Sequence, residues 1–208
     1  MSSREQLHSG INEIGLDLSS ETEDKLLAYL ALIAKWNRTY NLTAVRDEAA
    51  MVGNHLLDSL VALPHLAGAG SLADVGSGAG LPGIPLALAR PSLAVTLVES
   101  SQKKASFLQQ AKIELKLANV SIHCERVEYL KPEVPFDAVI SRAFSDLAEF
   151  VRLAGHLTAS GGRLLAMKGI DPHEEIAQLP AGWRVTQTIP LTVPGLAVQR
   201  HLIAIERV

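Results

Sequence analysis

Apolar side chains recur at helical spacing between residues 20 and 63, and from residue 71 short apolar runs alternate with helix-like segments. The first stretch opens on Ser20-Glu21-Thr22-Glu23, a capping box in which Ser20 caps and Glu23 reaches back. Leu26, Leu30 and Ile33 follow on one stripe, with Leu27 and Ala34 beside it, which predicts a helix running to about Tyr40. Asp47 can cap a second helix that turns Met51, Val52, Leu56, Leu60 and Leu63 towards a core and ends near Pro64. Residues 1–70 thus read as a helical N-terminal extension, bounded by Gly68-Ala69-Gly70 and packed on the rest of the chain rather than independent of it.

Beyond that boundary the pattern predicts strands at 71–75, 94–99, 119–123 and 136–141, with helices at 83–90, 101–117 and 146–158. Such alternation implies right-handed βαβ crossovers and a parallel sheet. Gly161-Gly162 opens a fifth strand that ends at Lys168, and a short helix follows Asp171-Pro172. Two late segments, 183–189 and 199–205, flank a stretch with prolines and a glycine and are expected to form a hairpin. The predicted fold over 71–208 is therefore α/β and Rossmann-like, a mostly parallel sheet finishing in an antiparallel hairpin.

Composition narrows the function classes. At 208 residues, the chain can bury a sizeable core in one domain with an appendage. A hydrophobic share of 48% with 20% charged residues is globular rather than disordered. A net charge of −3 carries no bulk signature of nucleic-acid binding, so any RNA contact must come from a local patch. The single cysteine, Cys124, excludes an internal disulfide and reads as a small buried residue in a reducing compartment. With no cysteine cluster for metal, no signal peptide and no run of membrane-spanning length, the expectation is a cytoplasmic protein that needs no metal.

The densest chemistry lies in Asp74-Val75-Gly76-Ser77-Gly78-Ala79-Gly80-Leu81-Pro82-Gly83, between the first predicted strand and its helix. Glycines there admit positive φ and close approach of a ligand to the backbone. The helix start, with Pro85 in its first turn, offers N–H groups and partial positive charge. Two frames compete. Residues 78–83 fit the G-x-G-x-x-G dinucleotide fingerprint, with Glu99 as the acidic partner of a ribose, which would suit an NAD(P)-dependent oxidoreductase. Asp74-x-Gly76-x-Gly78-x-Gly80 instead resembles the first motif of S-adenosylmethionine (SAM)-dependent methyltransferases. The strand ends before Gly76 rather than running directly into Gly78, and this favours the methyltransferase frame.

Other candidates each carry two readings. Glu99, closing the second strand, can accept both ribose hydroxyl protons or cap the helix that begins near Ser101. Val127 and Glu128, after the third strand, can meet an adenine face and its amine, or belong to a surface loop. Arg142, after the fourth, can hold the SAM carboxylate or an RNA phosphate bidentately, or pair with Asp146. Lys35, Arg38 and Arg46, interleaved with Trp36 and Tyr40, suit phosphate contact and base stacking, although both aromatics can equally pack the helix onto the core. Lys168 and Arg200 face RNA or water. His55 and Ser59 share one helical face and Asn54 and Asp58 an adjacent one, so His55 reads as a hydrogen-bonded or crevice-wall residue rather than a metal ligand.

The segment after the fourth strand lacks the Asn/Asp-Pro-Pro-aromatic device of amine-methylating enzymes, and no cysteine nucleophile is present there. An acceptor that is already nucleophilic, such as guanine N7, needs only positioning.

Taken together, these stretches resemble the bacterial 16S rRNA (guanine-N7) methyltransferases, long called glucose-inhibited division protein B. The resemblance rests on Trp36-Asn37 with Tyr40-Asn41-Leu42-Thr43, on His55-Leu56-Leu57-Asp58-Ser59, and on the loop with its Leu81-Pro82-Gly83-Ile84-Pro85 tail. Arg126-Val127-Glu128, Val139-Ile140-Ser141-Arg142-Ala143-Phe144, Lys168-Gly169 and Arg200-His201-Leu202 follow in family order. It implies SAM contacts at Gly76, Leu81, Val127, Glu128 and Arg142, with Gly78 and Gly80 in the loop and Glu99 at the ribose position. It also implies 16S rRNA as partner, within the small subunit or its precursor. Glu99 stands where the family often has Asp, and Asn54 where it usually has Arg. A SAM-binding RNA chaperone without catalysis is the remaining alternative.

Overall fold

The computed structural model describes residues 1–144, 146–169 and 172–208. Seven strands form one sheet: β1 (Ser71–Val75), β2 (Ala94–Val98), β3 (Val120–His123), β4 (Phe136–Ser141), β5 (Thr158–Lys168), β6 (Trp183–Pro190) and β7 (His201–Arg207). Their order is β3-β2-β1-β4-β5-β7-β6. Strands β1 to β5 pair in parallel, whereas β7 runs antiparallel to both β5 and β6. A dinucleotide-binding sheet of order 3-2-1-4-5-6 has no such inserted strand, so the hairpin separates the two frames of the glycine loop.

Both faces are buried, and the strands distribute their side chains accordingly. Leu72, Val95, Leu97, Ala138, Ile140 and Leu165 join one apolar cluster. Ala73, Val75, Val98, Val139, Leu164 and Ala166 join the other. The first face is covered by α5 (Gly83–Ala89), α6 (Gln102–Glu114) and the helices before residue 71, whose Leu7, Leu30, Ile33, Leu56 and Leu60 belong to the same cluster. The second is covered by α7 (Leu147–Ala154) through Phe150 and Val151.

Local rules place most element ends, with instructive shifts. An additional helix, α1 (Ser3–Ile14), carries the full capping box, formed by Ser2 and Glu5. Helix α2 (Ser20–Tyr40) is capped by Ser19, one residue before the expected Ser20, because the Ser19 hydroxyl accepts from Thr22 N at 3.2 Å. Glu23 instead turns inward, with Oε1 2.8 Å from His8 Nδ1 on α1. Asp47 caps as expected, accepting from Ala50 N at 2.7 Å.

The second helix is not continuous. After α3 (Glu48–Met51) the backbone widens into a π-helical turn, Val52–Leu57, in which Asp58 N donates to Gly53 O, and α4 (Asp58–Leu60) follows. A 3-10 turn over Leu63–Leu66 closes the segment. Strand β5 starts earlier than expected, at Thr158, and bends through Gly161 at φ +75°. Asp171, expected to open a short helix, lies outside the described residues; α8 (His173–Ile176) follows Pro172. Cys124 corrects an expectation: it is exposed, because it falls past the end of the edge strand β3. No helix among the described residues is long and apolar enough to cross a membrane.

Candidate cofactor site

The carboxyl ends of β1 and β4 meet where the crossovers change face, the place at which open α/β sheets bind ligands. The glycine loop starts there. Gly76 N and Ser77 N both donate to Val98 O, at 2.9 and 3.2 Å, which folds the chain back over β2. Gly76, Gly78 and Gly80 have φ of +69°, +58° and +88°. A Cβ on Gly76 would lie 2.8 Å from Ala143 Cβ, and one on Gly80 2.5 Å from Ile84 Cδ1. A Cβ on Gly78 would meet nothing nearer than Gly76 O at 3.9 Å. Gly78 therefore faces open space, whereas Gly80 serves packing.

The start of α5 is spent internally, contrary to the expected free N–H groups. Gly83 N donates to Asp74 Oδ2 at 2.8 Å, and Ile84 N to Gly80 O at 2.7 Å. Asp74 is wholly buried, and burial raises its pKa to about 7 against the opposing pull of Gly83 N–H and Arg142. Its Oδ1 and the Ser77 hydroxyl are buried without hydrogen-bond partners among the described residues. Glu99 follows its second reading, at the start of α6, and braces the glycine loop as well. Its Oε2 accepts from Gly78 N at 2.9 Å and its Oε1 from Ser101 N at 2.8 Å, so one carboxylate ties the loop to the start of α6.

Beside this point a cavity of about 310 Å³ is lined by Val75, Gly76, Val98, Val127, Glu128 and Phe144, among others. Val127 is buried and Glu128 exposed, on the 3-10 turn Val127–Tyr129. Val75, Val98 and Val127 give the lining an apolar base, and Glu125, Arg126 and Glu128 put charges of both signs beside it, with Arg126 Nη1 4.0 Å from Glu128 Oε1. Phe144, stacked on Phe150 with centroids 5.1 Å apart, is a lining residue that residue type alone does not single out.

On the other side of the loop stands the helical extension. The Tyr29 hydroxyl donates to Ala79 O, so α2 holds the glycine loop directly. Asn37 clamps Thr43 through both backbone groups, at 2.9 and 3.0 Å, and Thr43 Oγ1 lies 3.0 Å from His55 Nε2. His55 is buried, which lowers its pKa and keeps the ring neutral. Arg142 does not pair with Asp146, which caps α7 by accepting from Glu149 N at 2.7 Å. The Arg142 Nη2 instead lies 2.9 Å from Asp58 Oδ2 on α4, and its Nη1 is buried without a hydrogen-bond partner among the described residues.

The basic candidates divide in the same way. Lys35, Arg38 and Arg46 are exposed, whereas Lys168 is bound to Glu175 at 2.8 Å and Arg200 to Asp58 at 2.8 Å. Trp36 packs edge-on to Phe107, as the core reading expects, and stacks on Tyr40, which is itself exposed. No group of three or more metal-ligating side chains occurs among the described residues.

A sheet of this order, with an acidic-x-glycine loop at its switch point and a carboxylate at the end of β2, defines a SAM-dependent methyltransferase. The model of the GidB family, described as rRNA small subunit methyltransferase G, matches residues 22–203, and the chain belongs to that family. It is 60% identical over 205 residues to "Ribosomal RNA small subunit methyltransferase G" of Aromatoleum aromaticum, covering 97% of each chain. Its identity to the protein of that name from Nitrosospira multiformis is 57% over 209 residues, covering 97% of this chain and 96% of the other. Among solved structures, the O-methyltransferase TomG from Streptomyces achromogenes, in complex with SAM, superposes with a TM-score of 0.61 at 18% identity, over 100% of this chain and 99% of that one. That likeness establishes the shared fold.

Proposed function

We propose that the protein transfers a methyl group from SAM to N7 of one guanine in 16S rRNA, acting in the cytoplasm on the small ribosomal subunit or its precursor. The observation that carries the cofactor placement is Glu99 at the tip of β2, fixed by Gly78 N and Ser101 N beside the apolar cavity. With two N–H donors already held, its oxygens keep lone pairs for the two ribose hydroxyls. Gly76 and Gly78 let the nucleoside approach the backbone, Gly80 and Leu81 shape the loop behind it, and Val127 and Glu128 take the adenine face and amine. Arg142 Nη1 is the donor for the cofactor's carboxylate. Residues 1–70 act as an extension of the catalytic domain and wall the crevice through Tyr29 and His55.

Bound SAM would supply a sulfonium-activated methyl for the N7 lone pair, the C–S bond electrons returning to sulfur. The chain's work is then positioning, since N7 carries no proton to remove. Arg142 and the neutral His55 hold the wall against which the acceptor is placed. Exposed Lys35, Arg38 and Arg46, with Tyr40 among them, are the RNA contacts. The test is incubation of the purified protein and labelled SAM with naked 16S rRNA and with small subunits. Borohydride and aniline should cleave the product beside a single guanine, with more product from the assembled particle. Label on an exocyclic amine or ribose would refute the N7 acceptor, and binding of SAM without transfer to either RNA would favour the chaperone.

A further inference from the structure

Asp58 is wholly buried, yet its two oxygens hold two cations from distant parts of the sheet. Oδ2 lies 2.9 Å from Nη2 of Arg142, directly after β4, and Oδ1 is 2.8 Å from Nε of Arg200, directly before β7. Since β5 separates those strands, the carboxylate on α4 bridges across the end of a third. Two cations on one anion leave an excess of one positive charge in a partly desolvated place, as both arginine side chains are about a quarter exposed at 26% and 24%. Arg200 Nη1 returns to its own chain at Gln199 O, 3.1 Å away. Among the described residues, Arg142 Nη1 has no hydrogen-bond partner. Asp58 Oδ2 thus holds the guanidinium as an ion pair rather than through a hydrogen bond, while the same Nη2 donates to Asn54 O at 3.5 Å and Nη1 stays unspent.

We infer that Asp58 is a positioning residue for the cofactor's amino-acid moiety. It fixes the guanidinium of Arg142 so that Nη1 meets the α-carboxylate of SAM, and Arg200 shares Asp58 so that the arrangement stays net positive towards that anion. This rests on the SAM site proposed above. A planar guanidinium held on one edge loses little further freedom when the second edge binds a carboxylate.

The test compares SAM with decarboxylated SAM, which lacks only the group that Arg142 receives. Wild-type protein should prefer SAM by about 10- to 100-fold, the worth of one charge-assisted hydrogen bond. Arg142→Met should abolish that preference. Asp58→Asn should reduce it to nearly the same level with affinity for decarboxylated SAM unchanged, and combining the two should bring no further loss. Equal loss of both ligands in a folded Asp58→Asn protein would make Asp58 merely structural and overturn the inference, as would an undiminished preference. If wild-type protein binds neither ligand, the SAM site itself falls. Nitrogen-15 NMR of ligand-free wild-type protein needs no folded Asp58 variant. A held guanidinium should give resolved Nη proton signals that disappear in Arg142→Lys, and their absence before cofactor is added would also overturn the inference.

Discussion

Gly78 and Gly80 look interchangeable in the sequence and are opposites in space. Valine at Gly78 meets an empty crevice but must adopt φ +58°, which costs about 1–2 kcal/mol. Valine at Gly80 drives its Cβ into Ile84 and Leu108. Gly78→Val should therefore remain folded and lose SAM affinity, whereas Gly80→Val should lose several degrees or more of melting temperature before any ligand is added. Calorimetric titration beside thermal melts separates the two, and equal melting temperatures would contradict the assignment. The acidic-x-glycine loop itself was legible because residue type and order define it. Which glycine faces the open crevice was not, since that depends on Ile84, four residues on, and on Leu108, which reaches the loop only through the fold.

A second residue-scale expectation concerns Asp74. Folded protein keeps its proton up to about pH 7, while the unfolded chain releases it near the ordinary 3.8. Between those values the folded state binds more protons, so this group's contribution to stability falls as pH rises from about 4 to about 7 and then levels off. Asp74→Asn removes that slope. Urea midpoints of ligand-free protein at pH 4.5 and pH 7 should show the variant gaining on wild type by on the order of a few kcal/mol across the window. A constant difference would mean that Asp74 is ionised throughout.

At the scale of elements, the loop after α2 owes its shape to a single side chain. Asn37 takes both the N–H and the C=O of Thr43, so Asn37→Ala leaves two part-buried backbone groups unsatisfied and should cost about 1–3 kcal/mol. Asn37→Asp keeps the acceptor and loses the donor, and its loss should be intermediate. Urea unfolding measures both, and an unchanged midpoint in the alanine variant would show that water replaces the clamp. Periodicity found α2 and the apolar positions from Met51 to Leu63 because burial demands them. It could not find the π-helical turn, since one wide turn leaves the apolar count almost unaltered while rotating the residues beyond it. Nor could it pair Asp58 with Arg142 and Arg200, which lie 84 and 142 residues away. Ser19 displaced Ser20 as cap for a smaller reason: adjacent serines offer the same hydroxyl, and Glu23 found a better partner in His8.

For the molecule as a whole, the charge of −3 leaves RNA recognition to a local surface. Reversing Lys35, Arg38 or Arg46 should weaken rRNA binding and lower the slope of log K against log salt by about 1 for each lost phosphate contact. SAM affinity should stay level in these variants. Arg200→Glu should behave differently and impair SAM as well, because that arginine shares Asp58 with Arg142. Filter binding across a salt series, with parallel SAM titration, distinguishes the groups.

The sheet order has one more consequence, in the history of each molecule. β7 is the last of the seven strands to be synthesised, yet it lies between β5 and β6. While the chain is still being made, β5 has a bare edge and β6 has nowhere to attach. Arg200 arrives with β7, so Asp58 receives its second cation only in that closing step. A nascent chain can assemble β1 to β5 and the glycine loop, but not the finished wall opposite them. A protein whose relatives are named for modifying ribosomal RNA thus completes the Arg142–Asp58–Arg200 cluster only once its seventh strand has cleared the exit tunnel of the ribosome that makes it.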